Sequence, residues 1–267
     1  MHDAIPDLRE ALSRLDPTVD DLSSAQPLLD AARAVPALAA DWRIAAARLN
    51  AGEALRLLRD ALTHLPDPDR LSERQMVHER LGLLRLAGGD RDRGRHHLEA
   101  ALTIARRLSD RPSMGRLSGR LGALLVGLGL PDDGEPLLMD ALADATWRGD
   151  TLREVGLCTV LAALRMRQED WDAARGFGAR TVQAAVSRGN WLGVADGLIV
   201  QSVCLMRQDK PEQALQVVLY GTRRLTQAGS RPALNLLKAH ITALRSEMGS
   251  EAFDDLFAAA RSQTNTM

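Results

Sequence analysis

The 267-residue sequence predicts an all-α chain, an α-solenoid of antiparallel helix pairs with about 12–14 helices. Small side chains recur at three places every 40 positions, and helix-start signals recur at the same interval. Aromatic residues make up only 3% of the chain, while alanine, leucine and arginine fill every window. That composition suits closely approaching helices and not a sheet.

Residues 1–71 are expected to form helices near 3–15, 20–34 and 37–49, broken by Pro17 and Pro36. Asn50-Ala51-Gly52-Glu53 then reads as a helix start with a reciprocal cap, and Ala54, Leu58 and Ala61 follow at the spacing of a degenerate repeat.

Residues 72–231 form four rows of 40. One column holds Gly82, Gly122, Ala162 and Ser202; a second holds Gly94, Gly134, Ala174 and Ala214; a third holds Ala101, Ala141, Thr181 and Gly221. Within a row the spacings are 12 and then 7, which puts the first small residue on one helix and the other two on the next, two turns apart. Asp110, Asp150, Asn190 and Ser230 carry side-chain oxygens that can accept from the free N–H groups of a first helical turn. The residues before them, Ser109, Gly149, Gly189 and Gly229, sit where a left-handed residue ends the preceding helix. The turn inside each pair passes through Gly88-Gly89-Asp90, Leu130-Pro131-Asp132, Glu169-Asp170 and Asp209-Lys210-Pro211. Leu98, Leu138 and Val218 mark the second helix, with Gly178 the exception in the third row. Residues 232–261 are expected to supply a capping pair, through helices at 231–248 and 251–261, and residues 262–267 a disordered tail.

On these residues the chain resembles the tetratricopeptide repeat, whose pattern is Leu-Gly in the first helix and Ala, an apolar residue and Ala in the second. Leu81-Gly82, Gly94, Leu98 and Ala101 carry it, as do Leu121-Gly122, Gly134, Leu138 and Ala141; the later rows depart at Gln201 and Gly178. The period of 40, against the family's usual ~34, is similar to the longer repeats in the arms of signal-transduction ATPases. The resemblance implies a right-handed superhelix whose first helices line an inner groove. Carried across, the groove residues are Leu83, Leu86, Arg116, Ala123, Val126, Thr159, Ala163, Met166, Ile199, Val203 and Met206. Most are apolar, which fits an amphipathic helix or an apolar segment better than an acidic peptide terminus. The first helices are also apolar almost all round, so burial against the N-terminal helices competes with a bound partner.

No catalytic constellation emerges, and no cofactor or metal is implied. His96 and His97 are neighbours on a helix, point about 100° apart, and read as solvated. Gly127-Leu128-Gly129 and Gly176-Phe177-Gly178 lack the context of a nucleotide loop. Cys158 and Cys204 lie in apolar runs and read as inert buried thiols. Net charge is −1, but residues 91–120 hold eight arginines against three acids, while residues 1–41 hold eight acids against three arginines. Arg91, Arg93, Arg95, Arg116 and Arg120 make the candidate electrostatic patch, read as a solvated face or a site for an acidic protein segment rather than for nucleic acid. The chain lacks a basic start, a leader-like apolar run and a membrane-length apolar segment, so a cytoplasmic location without membrane contact is expected. The reading is a non-catalytic scaffold or adaptor that binds another protein or peptide. The alternative is a sensor arm that binds a small ligand or signalling peptide, marked by a polar pocket with convergent arginines.

Overall fold

Stop and start signals set the architecture. In the computed structural model, which describes residues 71–264 apart from Gly88, a left-handed residue falls at Gly89, Ser109, Gly129, Gly149, Glu169, Gly189, Asp209, Gly229 and Gly249, every twentieth position. Around the first eight of these the chain reverses in one way. The N–H of Asp150 donates to Ala145 O at 2.8 Å and that of Gly149 to Thr146 O at 3.1 Å; Asn190 and Gly189 repeat this on Ala185 O and Val186 O. These bonds satisfy the last carbonyls of the outgoing helix. The following residue then caps the next helix: Asp90, Asp150, Asp170 and Asn190 accept from the backbone N–H three residues on. Leu130, Lys210 and Ser230 make no side-chain cap, and there a proline takes the first turn, where its missing N–H costs nothing.

The described residues hold ten helices and no strand: α1 (Leu71–Ala87), α2 (Arg91–Arg107), α3 (Arg111–Gly127), α4 (Pro131–Arg148), α5 (Thr151–Arg167), α6 (Trp171–Val186), α7 (Trp191–Arg207), α8 (Pro211–Gln227), α9 (Arg231–Met248) and α10 (Ser250–Thr264). α1 packs on α2, and from α4 to α10 each helix packs on the next; the architecture is the expected α-solenoid of helix pairs. The 40-residue repeat is thus two 20-residue halves with the same turn, a finer period than the side-chain columns suggested. α10 runs to Thr264, three residues past the expected end at Arg261. The helices expected before residue 71 and residues 265–267 lie outside the described residues.

The chain divides into two compact units, residues 1–124 and 125–267. In the first, α1 and α2 meet at the small residues of the repeat. A Cβ on Gly82 would sit 3.0 Å from Leu98 Cγ and 3.2 Å from Gly94 O, and one on Gly94 would strike Leu86 Cδ2 at 2.5 Å. Leu98 is fully buried there.

In the second unit α7 touches both α5 and α9, and α8 touches α10, so first helices form one layer and second helices the other. Ala162, Ala174 and Ser202 are completely buried, and Thr181 nearly so. Gly178, which departs from the large apolar column, faces Gly197 across the α6–α7 seam; a Cβ on Gly197 would lie 2.6 Å from Gly178 O. The two backbones therefore approach where a large residue would hold them apart, and Val200 fills the space beside Gly178. Val194, Leu198, Leu215, Val218, Leu237 and Phe253 form the core toward the C-terminal end.

Candidate protein-binding face

The open side of the α5–α7–α9 layer follows the 40-residue register. Leu152, Leu192 and Pro232 occupy equivalent positions, then Gly156, Asp196 and Leu236, then Thr159, Ile199 and Ala239, then Ala163, Val203 and Ala243, and last Arg167, Arg207 and Glu247. These positions recur at four and three or four residues, so each set runs along one side of its helix. Leu152 is 75% exposed, Leu192 47% and Leu236 42%, large side chains that folding leaves in water at the same end of three adjacent helices. Trp147, also 75% exposed, lies one turn away in the last turn of α4 under the guanidinium of Arg148.

The expected groove residues divide. Ala163 is exposed, and Thr159, Met166, Ile199, Val203 and Met206 are half-buried. Ile199 and Met206 also pack against the core, so each gives the face only part of its surface. Val126 is a correction: at 4% exposure it belongs to the core, because it falls on the inward side of the last turn of α3. Leu86 is a second correction, since its side chain fills the space over Gly94 between α1 and α2. Leu83 and Ala123 are half-buried. Sequence reasoning missed Leu152, Leu192, Leu236 and Asp196, although the same 40-residue register held the signal.

Asp196 is the only acid among the five register sets on α5 and α7, and it makes no hydrogen bond or ion pair among the described residues. Desolvation by the surrounding apolar surface pushes its carboxyl above the usual aspartate range. At the other end of these helices Arg167 and Arg207 are exposed and likewise unpaired among the described residues.

The expected arginine patch is not one surface. Arg116 donates to both oxygens of Glu79, from Nε to Oε1 at 3.2 Å and from Nη2 to Oε2 at 2.8 Å, and Arg120 Nη1 donates to Oε1 as well. Gln75 adds a longer bond from Nε2 at 3.4 Å. The Glu79 side chain is only 5% exposed, so this carboxylate ties α1 to α3. A cavity of about 460 Å³ here is lined by Arg80, Arg116 and Arg120, by the acids Glu79 and Asp110, and by Ser72 and Ser113. Arg91 and Arg93 instead stand exposed at the start of α2, Arg93 3.5 Å from Asp90, while Arg95 binds Glu99 at 2.6 Å.

His97 is not the solvated residue expected. Its Nδ1 lies 3.1 Å from Nδ1 of His78 on α1, so one ring donates and the other accepts through an unprotonated nitrogen. Burial first, then His97, Arg74 and His96, hold the pKa of His78 down to about 4. The pairing was invisible along α2 because the partner is 19 residues away on the preceding helix. Cys158 and Cys204 are buried and free, and burial pushes the Cys158 thiol up to about 11, which keeps it protonated. Among the described residues no group of three or more His, Cys, Asp or Glu is placed to hold a metal ion, and no helix is long and apolar enough to cross a membrane.

No known family profile matches the chain, and no curated protein sequence does either. Solved structures do. BtubC (BKLC) from P. vanneervenii aligns with a TM-score of 0.61 at 17% identity, over 85% of this chain and 90% of that one. The Signal Transduction ATPase with Numerous Domains (STAND) protein PH0952 from Pyrococcus horikoshii, which has a tetratricopeptide repeat sensor, aligns with a TM-score of 0.64 at 15% identity over 94% of this chain. The chain spans 38% of that protein's length. At these identities the likeness is one of fold: a helical array like that of a protein with a tetratricopeptide repeat sensor.

Proposed function

We propose that this chain is a non-catalytic, cytoplasmic interaction module that takes a helical or extended apolar segment of another protein on the open face of α5, α7 and α9. The observation that carries the reading is Leu152 and Leu192, exposed at equivalent positions, with exposed Leu236 one turn further along α9, above Thr159, Ile199, Ala163 and Val203. Folding left this apolar surface in water; an apolar segment laid there removes it from solvent at roughly 25 cal/mol per Å². A helix-in-groove mode needs such apolar anchors on adjacent elements. The protonated, buried thiols and the mutually paired histidines support a role without catalysis.

The test replaces Leu152, Leu192 and Leu236 together by glutamate. The binding reading expects a partner captured by the wild-type chain from its native lysate to be lost, with helical circular dichroism unchanged. As a control, Met139→Glu, on the exposed side of α4, should keep the partner. Capture that survives the triple change would remove this face from the reading.

A sensor role is the second reading, favoured by the cavity beside Arg80, Arg116 and Arg120 and by the likeness to a protein with a repeat sensor. Its ligand would be a small anion or acidic peptide. Thermal stabilisation by such ligands, lost in Arg120→Gln, would favour it over the scaffold.

A further inference from the structure

We infer that the segment taken by this face is an amphipathic helix of a partner protein, with a lysine or arginine placed against Asp196 and an acidic residue about three turns away against Arg167 and Arg207. The inference rests on the docking face proposed above and specifies what that face selects.

Along the α5–α7 seam the register positions are Leu152 and Leu192, Gly156 and Asp196, Thr159 and Ile199, Ala163 and Val203, and then Arg167 and Arg207, with Thr159, Ile199 and Val203 half-buried and the rest exposed. A strip of apolar side chains thus separates one acid from two bases. Asp196 and Arg207 are eleven residues apart on one helix, about 16 Å at ~1.5 Å per residue, and Arg167 holds the equivalent place on α5. None of the three charges has a partner among the described residues, whereas Arg95, Arg116, Arg148, Arg153, Arg165 and Arg180 are all tied to carboxylates. The acids near that end are Glu169 and Asp209, two residues beyond the arginines in the turns, and Glu247 on α9 in the third column of the same register.

An apolar segment covering the strip would desolvate Asp196 further, and a carboxylate without a partner resists that. A cation on the incoming segment removes the penalty, while a second acid there adds repulsion, so the position selects the charge of the partner rather than contributing bulk affinity. Gly156, beside Asp196 in register, has no atom within 4 Å of where its Cβ would stand, which leaves room for a long basic side chain. A helix parallel to α5 and α7 repeats its own side chains at the same rise, so a base and an acid eleven residues apart on one stripe meet both charged ends at once. Either chain direction serves, because the segment can turn end for end.

The experiment uses the full chain and three synthetic helical peptides of about five turns that share one leucine stripe. At two positions eleven residues apart they carry lysine and glutamate, glutamate twice, or lysine twice. Fluorescence anisotropy should show the mixed peptide binding about threefold to tenfold more tightly than either of the others. Asp196→Lys, an exposed and unpaired site, should reverse the order so that the double-glutamate peptide binds best. Equal binding of all three peptides, or an order unchanged by Asp196→Lys, overturns the charge selection and leaves the docking face standing. Failure of all three to bind takes the docking face with it and points to the chain's own N-terminal segment as the cover. Self-association in sedimentation that Leu152→Glu abolishes puts a second copy there and also overturns the inference.

Discussion

Replacing Gly197 by alanine isolates the contact on which the α6–α7 packing depends. The new Cβ would stand 2.6 Å from Gly178 O, 2.7 Å from Val182 Cγ2 and 3.1 Å from Val182 N. The first and last of these are backbone atoms, so a rotamer change cannot relieve them, and α6 and α7 must separate by several tenths of an ångström. Overpacking of this kind costs about 1–3 kcal/mol, partly offset by the ~1 kcal/mol that alanine gains over glycine inside a helix. Gly176 supplies the control on α6 itself: nothing lies within 4 Å of its Cβ position, so Gly176→Ala keeps the helix gain and pays no overlap. The helix gain cancels between them, so the two variants should differ by the overlap alone, about 1–3 kcal/mol. Urea unfolding followed by circular dichroism should then show Gly197→Ala unfolding about 1 M before Gly176→Ala, with wild type between them. If Gly197→Ala is as stable as Gly176→Ala, the backbones do not meet there and the packing argument fails.

Two further outcomes follow from the turns and from the histidine pair. Glu169 holds a left-handed conformation, φ 60°, that costs an L-residue about 1–2 kcal/mol, so Glu169→Gly should raise the unfolding free energy by about 0.5–1 kcal/mol, whereas Gly149→Ala at φ 66° should lower it, both read from urea unfolding. His78 binds a proton less readily in the folded chain than in the unfolded one, so its contribution is complete above pH ~6.5 and is lost as the pH falls toward 4. His97 and His240 shift in the same direction, mainly through burial. Acidification from pH 7 to pH 5 should therefore destabilise the protein, with about 1 kcal/mol traceable to half-buried His78 after solvent screening. His78→Leu should flatten that part of the urea-midpoint profile, and an unchanged slope would show that the buried imidazole is not the group responsible.

The fold was legible because its devices are local. Gly149, Gly189 and Gly229 are left-handed, Asp150 and Asn190 cap the next helix, and the three small columns are buried, all readable from residue type and spacing. The twenty-residue half-period was hidden because Glu169 and Asp209 occupy the left-handed position where glycine was the signal. Gly178 looked like a defect because its reason, the Gly197 backbone, is on another helix. Of the face, Thr159, Ile199 and Val203 were legible from the register, but Val126 and Leu86 were not separable from it, since helices apolar on several sides do not announce which side a neighbour covers. The arginines misled for the same reason: Arg116 and Arg120 counted as surface charge until Glu79, 37 residues before Arg116, was found between them.

The central claim is that α5 and α7 lie side by side in the 40-residue register and present one face. Spin labels at Leu152 and Leu192, with pulsed and continuous-wave electron paramagnetic resonance to measure their separation, test it most directly. Helices packed at interaxial distances of about 8–10 Å should keep the labels within roughly 20 Å and narrowly distributed. A separation beyond about 30 Å, longer than one whole helix of this length, would contradict the shared face and everything built on it.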